Sequence, residues 1–177
     1  MRSLLLLAIV ACTGGPSAVN GGADKIDVHA NTSNLPSPLP NATDIATIGS
    51  GPQVLVGVLA YQDMGQVRQK LWQLEIRLAS LPMAGDSYTL GSPSDPLLTP
   101  QSGSLMLEDF PSVGGVNAWG STGGTLTIGS RSGTRARLLW SAVPMAVTPD
   151  GTGNTATGTF ELDADITVDD IEHSTSF

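Results

Sequence analysis

Several things are scarce in this chain of 177 residues, and each shortage narrows what it can be. There is one cysteine, Cys12, so no disulfide can form within the chain. There are two histidines, His29 and His173, one in a Gly/Ser/Pro-rich stretch and the other near the C-terminus. Neither stands where a strand would be expected to hold it, so a Ser-His-Asp triad or a histidine zinc site lacks its central part. Eight Lys and Arg face sixteen Asp and Glu, a formal net charge of −8. An acidic surface repels phosphate backbones, and Arg131, Arg135 and Arg137 read as charges on strand faces, so nucleic-acid binding is not expected. The chain has no G-x-S-x-G, no phosphate-binding loop and no dinucleotide fingerprint. In Gly129-Ser130-Arg131-Ser132-Gly133, Arg131 occupies the nucleophile's place. Charged residues are 14% and aromatics 5% of the chain, too few helix formers for a bundle.

What is present is glycine, 21 residues, with a hydrophobic fraction of 40%. That suits short strands joined by turns around a real core. Gln53 to Tyr61 is a nearly continuous apolar run, as in a central strand, with Gly57 suggesting a bulge or close backbone approach, and Asp63-Met64-Gly65 a turn. Leu71 to Ser80 alternates, with Trp72, Leu74, Ile76 and Leu78 on one face. Ser87 to Leu90 and Gly103 to Phe110 read as short strands around a proline-rich loop. Gly124 to Ser130 and Arg135 to Val143 flank a turn at Ser132-Gly133, and Pro144 is expected to end or kink the second of them. Thr159 to Val168 alternates without a fault. The expected fold class is all-β: an antiparallel β-sandwich or barrel-like fold of about seven to nine strands over residues 44–172, with a short tail at 173–177.

The first residues carry a different signal. Arg2 precedes an apolar run ending Ile9-Val10-Ala11-Cys12. The run is too short to span a bilayer, for which about 20 apolar residues are needed, and reads as a secretory leader over residues 1–11. Ile9-Val10-Ala11-Cys12 resembles the lipobox of bacterial lipoproteins. The resemblance covers about twelve residues. It implies cleavage between Ala11 and Cys12, a diacylglyceryl group on the Cys12 thiol and acylation of the new amino group. Two or more acyl chains hold a protein stably to a bilayer where one binds only marginally. Thr13 in the following position implies, by family habit, the outer membrane of a two-membrane bacterium. Residues 12–43, rich in Gly, Ser, Asn, Pro and Ala, read as a disordered tether behind that anchor, spanning roughly 30 Å as a coil. Leu35-Pro36-Ser37-Pro38-Leu39-Pro40 within it should be extended. Asn31-Thr32-Ser33 and Asn41-Ala42-Thr43 match the glycosylation sequon by chance. In the body, Gly124-Thr125-Leu126-Thr127-Ile128, Val143-Pro144-Met145 and Gly158 to Asp163 are similar to uncharacterised β-rich bacterial lipoproteins, a likeness that implies no activity.

The remaining chemistry lies in carboxylates and one tryptophan. Glu161, Asp163 and Asp165 share one face of one strand, about 6–7 Å apart. They could serve a carboxylate-based hydrolase, attract Ca²⁺, be balanced by Arg135 or Arg137, or simply face water. Asp150, Thr152 and Asn154 alternate oxygen side chains as a calcium loop does, but without its late glutamate. Trp119, in Gly-rich surroundings, is the candidate for a surface platform that stacks a sugar. The function expected is a non-catalytic binding or structural module, lipid-anchored in the cell envelope, with an envelope protein or glycan as partner. The alternatives are a carboxylate-based glycan hydrolase and a small-molecule binder with a barrel interior.

Overall fold

A computed structural model describes residues 26–30, 35, 39, 42–50, 53–65, 67–111, 115–149 and 156–171. Among these residues there is no helix and there are ten strands: β1 (Ile26–Ala30), β2 (Ala42–Ser50), β3 (Gln53–Met64), β4 (Val67–Leu78), β5 (Ser87–Gly91), β6 (Ser102–Asp109), β7 (Asn117–Ser121), β8 (Thr125–Ser132), β9 (Arg135–Val147) and β10 (Thr159–Val168). All belong to one sheet, ordered β1-β10-β9-β8-β5-β6-β4-β3-β2, with β7 between β6 and β9. The all-β class is as expected.

One face of this sheet is dry. On β10, Phe160, Leu162, Ala164, Ile166 and Val168 are buried while the residues between them are not, the period of two that a half-buried strand requires. β4 repeats the pattern with Trp72, Leu74, Ile76 and Leu78. No described helix is available to cover that face, so the sheet covers itself. It curls, and Val56, Val58, Leu74 and Ile76 from one arm join Leu138, Leu162 and Ile166 from the other in one core. Bulges, which increase local twist, interrupt the β2–β3, β3–β4, β8–β9 and β9–β10 ladders. The register runs through Gly57 without a break; the β3–β4 irregularity falls at Ala60 and Tyr61 instead.

The middle of the sheet is forked. Along one edge of β6, residues 102–104 pair with β5 and residues 106–109 with β7. Along one edge of β9, the first half pairs with β8 and residues 145–147 with β7. Strands lie about 4.8 Å apart, so β6 and β9 are about 14 Å apart where β5 and β8 intervene and about 10 Å apart across β7. Leu105, between the two arms on β6, has no strand partner for its N–H. The Ser121 hydroxyl takes that place: its Oγ accepts from Leu105 N at 2.9 Å and donates to the Gly91 carbonyl. A buried side chain thus closes the fork where the backbone ladder cannot.

Four expectations are corrected by these elements. The sheet is mixed rather than antiparallel, since β5 runs parallel to β6. The 92–101 connection that permits this returns over the outer face, bringing Pro93 so close to Gly120 that any Cβ there would lie 2.6 Å from it. Pro144 does not end its strand: β9 continues to Val147. Its carbonyl accepts from Thr122 N, so its missing N–H points into the stretch between β8 and β7, where no ladder bond is lost. Asp63 and Met64 belong to β3 rather than to a turn. Lastly, the 12–43 tether is contradicted beyond Ile26. Residues 26–30 pair with β10, β2 begins at Ala42, and Leu35 and Leu39 are buried in the core. The two leucines provide the reason, because each buries an apolar side chain that water would otherwise solvate unfavourably. Among the described residues the sheet therefore begins at Ile26, not residue 44. Residues 1–25, with the leader and Cys12, lie outside the described residues, as do 150–155 and 172–177.

Candidate functional site

The acidic residues singled out from the sequence fall on the outer face of β10 and meet different partners. Arg137 on β9 grips Asp165 in a two-pronged pair, Nε to Oδ1 at 2.8 Å and Nη2 to Oδ2 at 2.7 Å. The pairing holds the Arg137 guanidinium even more firmly protonated than usual. Of the possibilities open for the trio, balance by a neighbouring arginine is the one seen for Asp165.

Asp163 has a different task. The β9–β10 register shifts between Leu162 and Ala164, so Ser141 and Ala142 together oppose Asp163. The Asp163 Oδ1 accepts from Ser141 Oγ at 2.8 Å and from Ala142 N at 2.7 Å. Ala142 has φ of 51°, a left-handed conformation that costs a non-glycine residue about 1–2 kcal/mol. The carboxylate holds the bulge in place. Asp163→Ala is therefore expected to lower unfolding free energy by about 1–3 kcal/mol, and Asp163→Asn, which keeps the acceptor, by clearly less. Ala142→Gly is expected to stabilise by about 0.5–1 kcal/mol, against the usual sign for glycine in a strand. Urea unfolding of the three variants checks this.

His29 is placed where the sequence did not put it, on β1, with its Cα opposite that of Asp163. The view that neither histidine has a strand scaffold is thus corrected for His29; His173 lies outside the described residues. A relay of the Ser-His-Asp kind needs the imidazole between the other two groups. Here the carboxylate of Asp163 bonds the Ser141 hydroxyl directly. Glu161 stands opposite Pro144 on the same face. Among the described residues no three His, Cys, Asp or Glu side chains are grouped to hold a metal ion. Asp150, Thr152 and Asn154 fall outside them.

Two of the other perturbed titratable groups lie where β4, β6 and β7 run together. Lys70 lies half-buried, its Nζ donating to Gln73 Oε1 at 2.9 Å and standing 4.6 Å from the centre of the Phe110 ring. Desolvation lowers its pKa and the charge of Glu108 partly restores it. Asp109 stands between Trp72 on β4 and Asn117 on β7. Burial raises the pKa of its carboxyl, and a long bond from Asn117 Nδ2, 3.4 Å, partly opposes this. The folded protein thus keeps the Asp109 proton to higher pH than the unfolded chain. Stability falls as pH rises from the unfolded value through the raised folded one, and stays lower above it. Asp109→Asn is expected to raise the melting temperature at neutral pH. The advantage should vanish below about pH 3.9, where the aspartate is protonated in both states. Sequence reading missed both groups, since the charge on each is set by strands that only the register brings together.

Trp119 is not the exposed platform its surroundings suggested. It is 1% exposed and meets Phe160 edge to face, ring centres 5.6 Å apart. A sugar cannot stack on a ring that is already enclosed. The indole Nε1 atoms of Trp119 and Trp140, and the Ser104 hydroxyl, are buried with no hydrogen-bond partner among the described residues.

Among the described residues, Asp165 of the acidic stripe is held in a charge pair and Asp163 supports a bulge. Comparison with family models, with curated proteins and with solved structures finds no match to this chain.

Proposed function

We propose that this protein is a lipid-anchored module of the bacterial cell envelope, held by acyl chains on Cys12, and that its sheet domain binds or supports an envelope component without catalysing a reaction. The observation that carries the reading is Ile9-Val10-Ala11-Cys12 directly behind an apolar run. The charged outer face adds to it, because Asp163 and Asp165, the residues a hydrolase would need free, are bonded to Ala142, Ser141 and Arg137. Residues 13–25 separate Cys12 from β1. Thirteen residues span at most ~45 Å, so the fold would stay within that distance of the headgroups. In the native host, Cys12→Ser is expected to move the protein from the membrane pellet to the soluble or unprocessed fraction. Pelleting unchanged would refute the anchor.

A further inference from the structure

Five large apolar side chains are conspicuously exposed among the described residues: Met64, Leu81, Met83, Leu98 and Val147. Met64 and Val147 stand apart at strand ends, as isolated surface apolar residues often do. The other three belong together. Leu81 and Met83 lie on the 79–86 connection and Leu98 on the 92–101 connection. Ala79 N bonds Ser102 O and Ser80 Oγ bonds Pro100 O, which joins the two connections at one end of the sheet. Their exposures are 40% for Leu81, 58% for Met83 and 82% for Leu98. Arg131 braces the group, its guanidinium donating to the Pro82 carbonyl and meeting the Met83 sulfur at 3.2 Å.

Strand β1 also begins at this end. Ile26, the first residue of β1, is opposite Ile166; Ile166 is opposite Leu138, and Leu138 opposite Ile128. Ile128 in turn exchanges backbone bonds with Gly85 and Asp86, at the close of the 79–86 connection. Ile26 is therefore level in the sheet with the base of the apolar group, four strand spacings or roughly 19 Å away along it. The C-terminal ends of β1 and β9 lie at the opposite end, as does Met64, the last residue of β3.

We propose that Leu81, Met83 and Leu98 form the face this domain rests on the bilayer, so that the anchor and the three side chains address the same membrane. The proposal rests on the reading of Cys12 as lipidated. Thirteen residues join the anchor to β1 and span at most ~45 Å, so the end of the sheet where β1 begins stays within reach of the lipid. Effective concentration then makes a patch useful that would be too small to bind by itself. The nearby charges are of both signs: Arg131 and Arg135 alongside Asp86 and Asp169. Contact should therefore depend little on headgroup charge or salt.

The test uses the full-length acylated protein in vesicles of phosphatidylethanolamine and phosphatidylglycerol. Cys12 is the only cysteine, and acylation consumes its thiol. A polarity-sensitive thiol dye then marks only an introduced cysteine in Met83→Cys, Leu98→Cys or Met64→Cys. Dyes at positions 83 and 98 are expected to shift to shorter wavelength and to be quenched at least several-fold more by nitroxide lipids than the dye at 64. Equal quenching at all three positions, or stronger quenching at 64, would overturn the orientation while leaving the anchor intact. So would a wavelength shift at 83 and 98 that nitroxide lipids do not quench, which would mean a second protein covers the patch. Failure of the anchor reads differently: Cys12 itself would take the dye and the protein would not float with the vesicles.

Discussion

Replacing Trp119 by alanine is expected to remove about 3–5 kcal/mol of stability, enough to bring a domain of ordinary stability close to unfolding. The side chain is enclosed where β7 bridges β6 and β9, opposite Leu107 and Val147, with its ring against Phe160. Among the described residues β7 is the only strand across that arm of the fork. Trp119→Phe should cost much less. It keeps an aromatic ring beside Phe160 and removes an indole N–H that is buried without a partner. Denaturant unfolding followed by circular dichroism measures both. If Trp119→Ala left the midpoint unchanged but abolished binding to a glycan, the tryptophan would be a surface platform after all.

Ser121→Ala is expected to cost about 2–4 kcal/mol, because it strands a buried donor and a buried acceptor together, Leu105 N–H and Gly91 C=O. Both are backbone groups at the fork, where the β5–β6 ladder ends at Gly91 and Ser104. Ser104 supplies the contrast. It lies on β6 beside the same fork and is equally buried, yet its hydroxyl has no partner among the described residues. Ser104→Ala should be neutral or slightly stabilising, since a desolvated hydroxyl is replaced by a methyl at almost the same volume. Two buried serines of identical composition thus have opposite expected signs. Equal losses in the two variants would show that the hydroxyl does not hold the fork.

Much of the fold was legible where one face alone is buried. β10 was read with its true limits, and the inward faces of β4 and β8 were read correctly, because alternation records burial directly. β7 gave no such record. In Asn117-Ala118-Trp119-Gly120-Ser121 all but the first residue are buried, on both faces, so nothing alternates and the glycine-rich flanks suggest a loop. For the same reason the sequence around Trp119 suggests a surface position that the fold does not give it. β1 and the buried Leu35 and Leu39 were hidden by composition: prolines between two leucines resemble an extended linker whether or not the leucines are buried. The parallel β5–β6 pairing and the Ser121 closure depend on residues 13 to 30 positions apart, and local pattern carries no trace of them.

The same distinction separates the parts of the acidic stripe. The spacing of Glu161, Asp163 and Asp165 fixed the face they share. Only the β9 register determines that Asp165 meets Arg137 while Asp163 meets the Ser141-Ala142 bulge.

The reading of the protein as an envelope lipoprotein turns on Cys12, and one measurement addresses it directly. The protein is recovered from membranes of its native host and the N-terminal peptide of the mature chain is analysed by mass spectrometry. The expected result is a chain that begins at Cys12, with diacylglyceryl mass on its sulfur. A chain that retains Met1, or one cut elsewhere with the Cys12 thiol free, would contradict it.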